Sequence, residues 1–154
     1  RAVLASPVKA LSNQKFSELS QALGPQKVRL LTGDTSVGAP EAEVLVCTTE
    51  ILRSMLYDGD QDQLGKVRVV IFDELHYLAD EERGTAWEEA VLLLRGLGPM
   101  AVVGLSATLP NALELAGWLC QVHHAPCHVV TSEDRPVALE HFICPGRAGA
   151  GRDR

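Results

Sequence analysis

The sequence predicts an α/β domain with a mostly parallel sheet and helices on both faces. Three observations carry this. Short apolar, β-branched runs alternate with longer segments of helical period, and the breaks between them are brief. The run Val67-Arg68-Val69-Val70-Ile71-Phe72 alternates only weakly, as a strand buried on both faces does. It ends abruptly in Asp73-Glu74-Leu75-His76, and a doubly wound sheet opens its ligand crevice at the C-terminal ends of its strands.

Arg1 to Ser6 reads as the first strand. Ser6-Pro7 then reads as a helix start, with Ser at the N-cap and Pro at the first helical position. Val8, Leu11, Phe16, Leu19 and Leu23 fall near one helical face, and Gly24-Pro25 stops the helix. Lys9 sits in the first turn, where the helix dipole disfavours a cation. An anion bound there would relieve the conflict, and so would plain solvation. Val28 to Leu31 is a short strand ending in Thr32-Gly33-Asp34-Thr35. Glu43 to Thr48 is another buried strand. Thr48-Thr49-Glu50 opens a helix with a hydroxyl cap and an acid in the first turn. Ile51, Leu52, Met55 and Leu56 form its apolar stripe, and Asp58-Gly59-Asp60 ends it. Hydroxyl groups and backbone N–H donors at two strand ends suit phosphates, and capping explains the threonines equally well.

After the central strand, Thr85 to Glu88 has capping-box spacing. Trp87, Ala90, Val91 and Leu94 follow at helical spacing, which makes Trp87 a core residue rather than a base-stacking one. Gly96-Leu97-Gly98-Pro99 breaks the chain. Met100 to Leu105 is the next strand, leading into Ser106-Ala107-Thr108. Pro110 and Asn111 start a helix, with Asn111 and Glu114 at capping-box spacing and Leu115, Trp118 and Leu119 inside. Cys127 to Thr131 reads as a last strand and Arg135 to Cys144 as extended chain. Residues 1–143 form the domain, and 144–154 a Gly/Arg-rich tail or linker. Five or six strands fit, and no repeat is visible.

The 154 residues suffice for one domain with a core, and 46% hydrophobic with 22% charged is ordinary for a globular protein. No apolar run approaches the ~18 residues of a membrane span, and no secretory signal pattern opens the chain. The start at Arg1, directly in a strand-like run, reads as a piece cut from a longer protein. Four cysteines without a disulfide framework point to a reducing compartment, the cytoplasm or, in a eukaryote, the nucleus. A net charge of −6 argues against a compact, high-affinity nucleic-acid binder. It leaves room for a domain that adds a few contacts to a larger channel. Cys120, His123, His124, Cys127 and His128 crowd together at spacings that a structural zinc could use. A polar loop between a helix end and a strand start explains them as well.

Chemistry concentrates at Asp73 and Glu74. A buried strand cannot carry unpaired carboxylates along its length, so they belong at its end. Neighbouring side chains on a strand point opposite ways, so one can face a metal while the other faces a water. That pairing serves nucleotide hydrolysis, with one carboxylate holding Mg²⁺ and the other taking a proton from the attacking water. The plain alternative is a strand that stops in a solvated acidic turn.

Five separated stretches then agree in order: Ser6 to Lys15 (SPVKALSNQK), Thr32-Gly33-Asp34, Thr48-Thr49-Glu50, Asp73-Glu74-Leu75-His76 and Ser106-Ala107-Thr108. Together they resemble superfamily 2 helicases, and specifically the superkiller-type DExH-box RNA helicases, whose members work with the RNA exosome. TTEILRSMLY, RGTAWEE and LSATLPNALELAGWL look like that group, and the resemblance covers about residues 1–143. It implies a three-layer RecA-like P-loop NTPase fold, truncated at its N-terminal strand and phosphate-binding loop, with ATP and Mg²⁺ as cofactors. By the same resemblance Asp73 holds the ATP-bound Mg²⁺ through water, and Glu74 is the general base. His76 links them to Ser106 and Thr108, which couple hydrolysis to movement. Pro7, Lys9 and Gln14, with Thr32, Gly33, Asp34, Thr48, Thr49 and Glu50, would touch the sugar-phosphate backbone of one RNA strand.

Leu75 stands where Val or Ile is more common, an apolar exchange of little weight. No G-x-x-x-x-G-K-[ST] loop exists in the chain. In the family that loop lies upstream of the first residues seen here. By the same resemblance a second RecA-like domain, with its arginine finger, would lie downstream. The piece alone is therefore expected neither to bind ATP tightly nor to hydrolyse it. RNA, the second motor domain and an exosome-type nuclease complex are the implied partners, with no membrane. A DNA helicase of the same superfamily and a non-catalytic scaffold remnant are the alternatives.

Overall fold

A computed structural model describes residues 1–132 together with 134, 137, 139, 140, 142 and 143. It contains a six-stranded sheet in the order β3-β2-β4-β1-β5-β6. The strands are β1 (Ala2–Ser6), β2 (Val28–Leu31), β3 (Ser36–Val37), β4 (Val44–Thr48), β5 (Val69–Phe72) and β6 (Ala101–Gly104). All pairings are parallel except β2 with β3. The helices are α1 (Lys9–Leu23), α2 (Thr49–Asp58), α3 (Gln61–Leu64), α4 (Gly84–Leu94) and α5 (Ala112–His123).

Strand alternation sorts the core into two layers. Val3, Ala5, Leu45, Cys47, Val70 and Phe72 face one side, where they join Leu52 and Met55 of α2 and Trp87, Ala90, Val91 and Leu94 of α4. Leu4, Val28, Leu30 and Val46 face the other side, against Phe16 and Leu19 of α1. Trp87 is fully buried, with its ring centroid 5.3 Å from that of Phe72. The helices thus cover both faces, as expected, but unequally. α1 lies over β2, β4 and β1. Beyond it, Ile71 is half-buried and Val103 and Leu105 are 39% and 47% exposed. The central strand is therefore fully sealed on its Val70–Phe72 side and only partly covered on the other, where Ile71 packs against the second layer, a correction to the doubly buried reading.

Several local expectations are also corrected. Ser6 does not cap α1. The helix begins at Lys9 with Val8 at the cap position, and Ser6 Oγ instead lies 2.6 Å from Ser12 Oγ in the interior. Pro7 still serves the turn, because its fixed φ suits the strand-to-helix corner. Thr85 is inside α4 rather than at its cap. Asp80 holds that helix start, its Oδ1 accepting from the Glu82 and Arg83 amides at 3.1 and 2.9 Å. Neither Thr48 nor Asn111 makes a side-chain cap bond, although each occupies the cap position. Cys127 to Thr131 forms no strand; those residues are exposed and irregular. The short hairpin strand β3 was not foreseen, because two residues carry no periodicity. Half of Arg135 to Cys144, and all of the 144–154 tail, lie outside the described residues. Among the described residues no helix is long and apolar enough to cross a membrane.

Candidate functional site

Parallel strands place their C-terminal ends along one edge, and the notable side chains gather there in two groups. The first is built on β5 and β6. Asp73 follows Phe72 directly, its amide donating to Ala5 O at 2.8 Å, so the acid pair starts where β1 and β5 stop pairing. Glu74 adopts a left-handed conformation, φ 59° and ψ 49°. A non-glycine residue there costs about 1–3 kcal/mol, which the surrounding bonds must offset. The Leu75 amide donates to Leu105 O at 2.7 Å, and Tyr77 N to Glu74 O at 3.0 Å. The kink lifts the Glu74 side chain off the strand and starts a 3₁₀ turn over Leu75–Ala79. Asp73, Glu74 and His76 are all half-exposed.

His76 Nδ1 lies 3.4 Å from Glu74 Oε2 and 3.4 Å from Ser106 Oγ, and Ser106 Oγ donates to Thr108 O at 3.1 Å. With the hydroxyl proton on the Thr108 carbonyl, the Ser106 oxygen is free to accept from Nδ1–H. The strand-end loops of β5 and β6 are thus joined through one imidazole. Thr108 joins this group through its backbone carbonyl.

The second group surrounds the open cleft between the starts of α1 and α2. Pro7, Lys9, Gly33, Thr48 and Glu50 line it together. Lys9 and Gly33 are exposed and Glu50 half-buried, whereas Pro7 and Thr48 are buried. Lys9 Nζ pairs with Asp34 Oδ1 at 3.0 Å, and Thr32 Oγ1 donates to the same oxygen at 3.0 Å. These two bonds, that from Lys9 first, hold the Asp34 carboxyl below the usual carboxylate range. Thr49 is fully buried and its hydroxyl donates to Ser6 O at 3.4 Å, so its side chain fastens the loop instead of facing the cleft. Thr32 is likewise buried. Gln14 stands apart on the exposed side of α1, bonded to Glu18 at 2.8 Å.

Two residues escaped sequence reasoning. Arg83, at the start of α4, donates from a guanidinium nitrogen to Pro7 O at 2.9 Å, and Asp80 orders the turn before it. The Asp80-x-x-Arg83 spacing, an Asx-turn pattern, signals the turn but not the contact with Pro7. The zinc alternative finds no support: Cys127 and His128 are exposed past the end of α5, and among the described residues no three His, Cys, Asp or Glu side chains converge on one point. Burial pushes the Cys47 thiol up to about 12, which makes it inert.

Comparison with known proteins follows the same lines. The exosome RNA helicase MTR4 of Homo sapiens is 49% identical over 145 residues, 94% of this chain and 13% of that protein. Superkiller complex protein 2 of Homo sapiens is 46% identical over 148 residues, 96% of this chain and 11% of that protein. The chain therefore spans about an eighth of the length of these relatives. Among solved structures, the Mycobacterium smegmatis helicase Lhr bound to ssDNA and AMP-PNP aligns with a TM-score of 0.63 at 29% identity, over 75% of this chain and 18% of that one. The DUF1998 helicase MrfA bound to DNA and AMPPNP aligns at 0.68 and 22%, over 88% and 21%. The fold is the RecA-like α/β fold of helicase domains. A family model described as "DEAD/DEAH box helicase" matches residues 1–116, from β1 through the loop after β6 into α5, and the chain belongs to that family.

Proposed function

We propose that the chain is part of the first motor domain of an ATP-dependent RNA helicase, in which ATP hydrolysis drives movement along one strand. The observation that carries this reading is the bridge from Glu74 through His76 to Ser106, at the strand ends where a nucleotide crevice belongs. Asp73 and Glu74 offer hard carboxylate oxygens, half-exposed at the open sheet edge, which suits a Mg²⁺ ion that keeps most of its waters. Asp73 would hold that ion, whose charge offsets that of the phosphates when Mg–ATP is bound. Glu74, turned off the strand, takes the proton of a water, and His76 carries its position to Ser106 and the Thr108 carbonyl. In the second group, Lys9 and the backbone around Gly33 and Glu50 face the strand. Buried Thr32, Thr48 and Thr49 shape the loops that present them. Such contacts read phosphate and sugar and are blind to sequence, as a motor requires.

Human MTR4 is named an RNA helicase, which favours RNA. Lhr and MrfA are titled as bound to DNA, so a DNA motor is the second reading. The phosphate loop and the arginine finger belong to other parts of a longer protein, and residues 1–143 alone turn over no ATP. An exosome-type nuclease complex and a cytoplasmic or nuclear setting complete the proposal. The test uses the natural full-length protein, with ATPase measured against single-stranded RNA and DNA and unwinding measured on matched duplexes. Stimulation and unwinding by RNA are expected. A protein that hydrolyses nothing with either strand overturns the motor reading, and a preference for DNA replaces RNA by the second one.

A further inference from the structure

A continuous run of short hydrogen bonds leads from the acid pair to the cleft. Glu74 O accepts from Tyr77 N at 3.0 Å, and Tyr77 O from Asp80 N at 3.0 Å. Asp80 Oδ1 accepts from Arg83 N at 2.9 Å, and the Arg83 guanidinium donates to Pro7 O at 2.9 Å. Each link spans three residues until the last, which jumps 76 positions to the loop before α1. The segment that carries these bonds is closely packed. Gly84 N donates to Asp80 O at 2.8 Å, and a Cβ at Gly84 would collide with the Leu78 carbonyl, so α4 sits tight against the 3₁₀ turn. Pro7 is equally constrained. Its neighbour Ser6 is held through its hydroxyl by Ser12 and through its carbonyl by Thr49. Among the described residues, Arg83 supplies the one side-chain hydrogen bond from the Asp73–Gly84 segment to this loop. Glu74 and Pro7 are thus joined through hydrogen-bonded, closely packed elements.

We infer that Arg83 is a positioning residue that couples the state of the Glu74 segment to the placement of the Pro7–Lys9 loop. A tie of this kind transmits a difference between two arrangements and adds little to either alone. The inference rests on the proposed function, which makes Glu74 the nucleotide-side group and Lys9 the strand-side group. It adds a second path beside the His76 bridge, one that runs toward the nucleic acid and avoids Ser106.

The test compares wild type, Arg83→Met and Arg83→Lys in the natural full-length protein. Methionine keeps the apolar stem and helix start but removes every donor. Lysine keeps one donor within reach of a carbonyl. The affinity for an unstructured single-stranded RNA is measured with and without a non-hydrolysable ATP analogue, and the ratio of the two is the coupling. In wild type the ratio differs from one. In Arg83→Met it moves toward one by roughly 2- to 30-fold, while RNA-free ATPase turnover and the thermal transition hold. Arg83→Lys falls between. If Arg83 merely grips a phosphate, RNA binding weakens equally in both conditions and the ratio stays, which overturns the inference. A lysine variant no better than methionine also overturns it, and this comparison decides the matter even if the methionine variant melts early. Wild-type protein whose RNA affinity ignores nucleotide sinks the underlying motor reading, an outcome distinct from any difference among the variants.

Discussion

Glu74 and Ser106 approach the same atom: His76 Nδ1 lies 3.4 Å from Glu74 Oε2 and 3.4 Å from Ser106 Oγ. One proton on that nitrogen can satisfy either partner but not both fully. The imidazole is therefore placed to favour Glu74 or Ser106 according to what else each is doing. In the proposed role, orienting a water would change the demand of Glu74 on the histidine, and the β6 loop would feel it. A contact shared in this way would serve the proposed coupling of chemistry to movement.

Glu74→Gln tests the chemical half of that arrangement. The amide keeps the size and the left-handed backbone site but cannot take a proton. In the full-length protein, nucleotide affinity is expected to hold and turnover to fall by about 10²–10⁴, the usual weight of a lost general base. Single-turnover ATPase beside nucleotide titration checks this. Turnover near wild type would remove Glu74 from the role.

Ser106→Ala combined with Thr108→Ala tests the coupling half. Losing the Ser106 hydroxyl removes the bridge to His76 while leaving Glu74 in place. ATP hydrolysis is expected to survive better than strand separation. Thr108 presents its backbone carbonyl to Ser106, so Ser106→Ala alone is expected to account for most of the effect. Equal losses of ATPase and unwinding would contradict the coupling role.

How much of this was legible in the sequence depends on the range of the interactions. Strand runs such as Val44–Thr48 and the Trp87 stripe were readable, because alternation and helical period are local and burial enforces them. The acid pair was readable as a strand end, because a core rejects carboxylates. The caps were misread where a tertiary partner took the hydroxyl. Ser12 claims Ser6, and the Ser6 carbonyl claims Thr49, and neither neighbour is visible from local spacing. The tie from Arg83 to Pro7 was invisible for the same reason, since its ends are 76 residues apart.

Lys9→Ala and Asp34→Asn separate attraction from restraint in the cleft. Lys9 is 55% exposed and paired at 3.0 Å, so a phosphate competes with Asp34 for it. Lys9→Ala should weaken RNA binding and lower the slope of log affinity against log salt by about one. Asp34→Asn should free Lys9 and leave binding equal or tighter. The Asp34 carboxyl is held below its ordinary 3.8, so the pair is intact above that value and is lost as pH falls through the depressed one. Across neutral pH this pair should add no pH dependence to RNA affinity. A weakened Asp34→Asn variant would mean that Asp34 itself touches the strand.

Gly84→Ala and Gly104→Ala differ in size of effect even though both glycines are crowded. Alanine in a helix usually gains up to about 1 kcal/mol over glycine, although Gly84 is buried in the first turn of α4. At Gly84 that gain is overridden, because the new methyl would meet the Leu78 carbonyl, part of a 3₁₀ turn that cannot retreat without breaking its own bonds. The overpacking cost is about 1–3 kcal/mol, so a net loss is expected. At Gly104 the methyl would meet Leu75 Cδ2 at 2.5 Å, the free end of a rotatable side chain. A rotamer change there costs about 0.5–1.5 kcal/mol, close to the 0.5–1 kcal/mol that alanine gains over glycine in a strand, so the net is near zero. Thermal and urea unfolding of the two variants should therefore diverge clearly. Gly84→Ala should also reduce the nucleotide dependence of RNA affinity, because it moves Arg83 with α4, whereas Gly104→Ala should leave it unchanged. Equal stability losses would mean that the turn over Leu75–Ala79 yields as easily as a leucine tip, and the rigid path from Glu74 to Arg83 would then be lost.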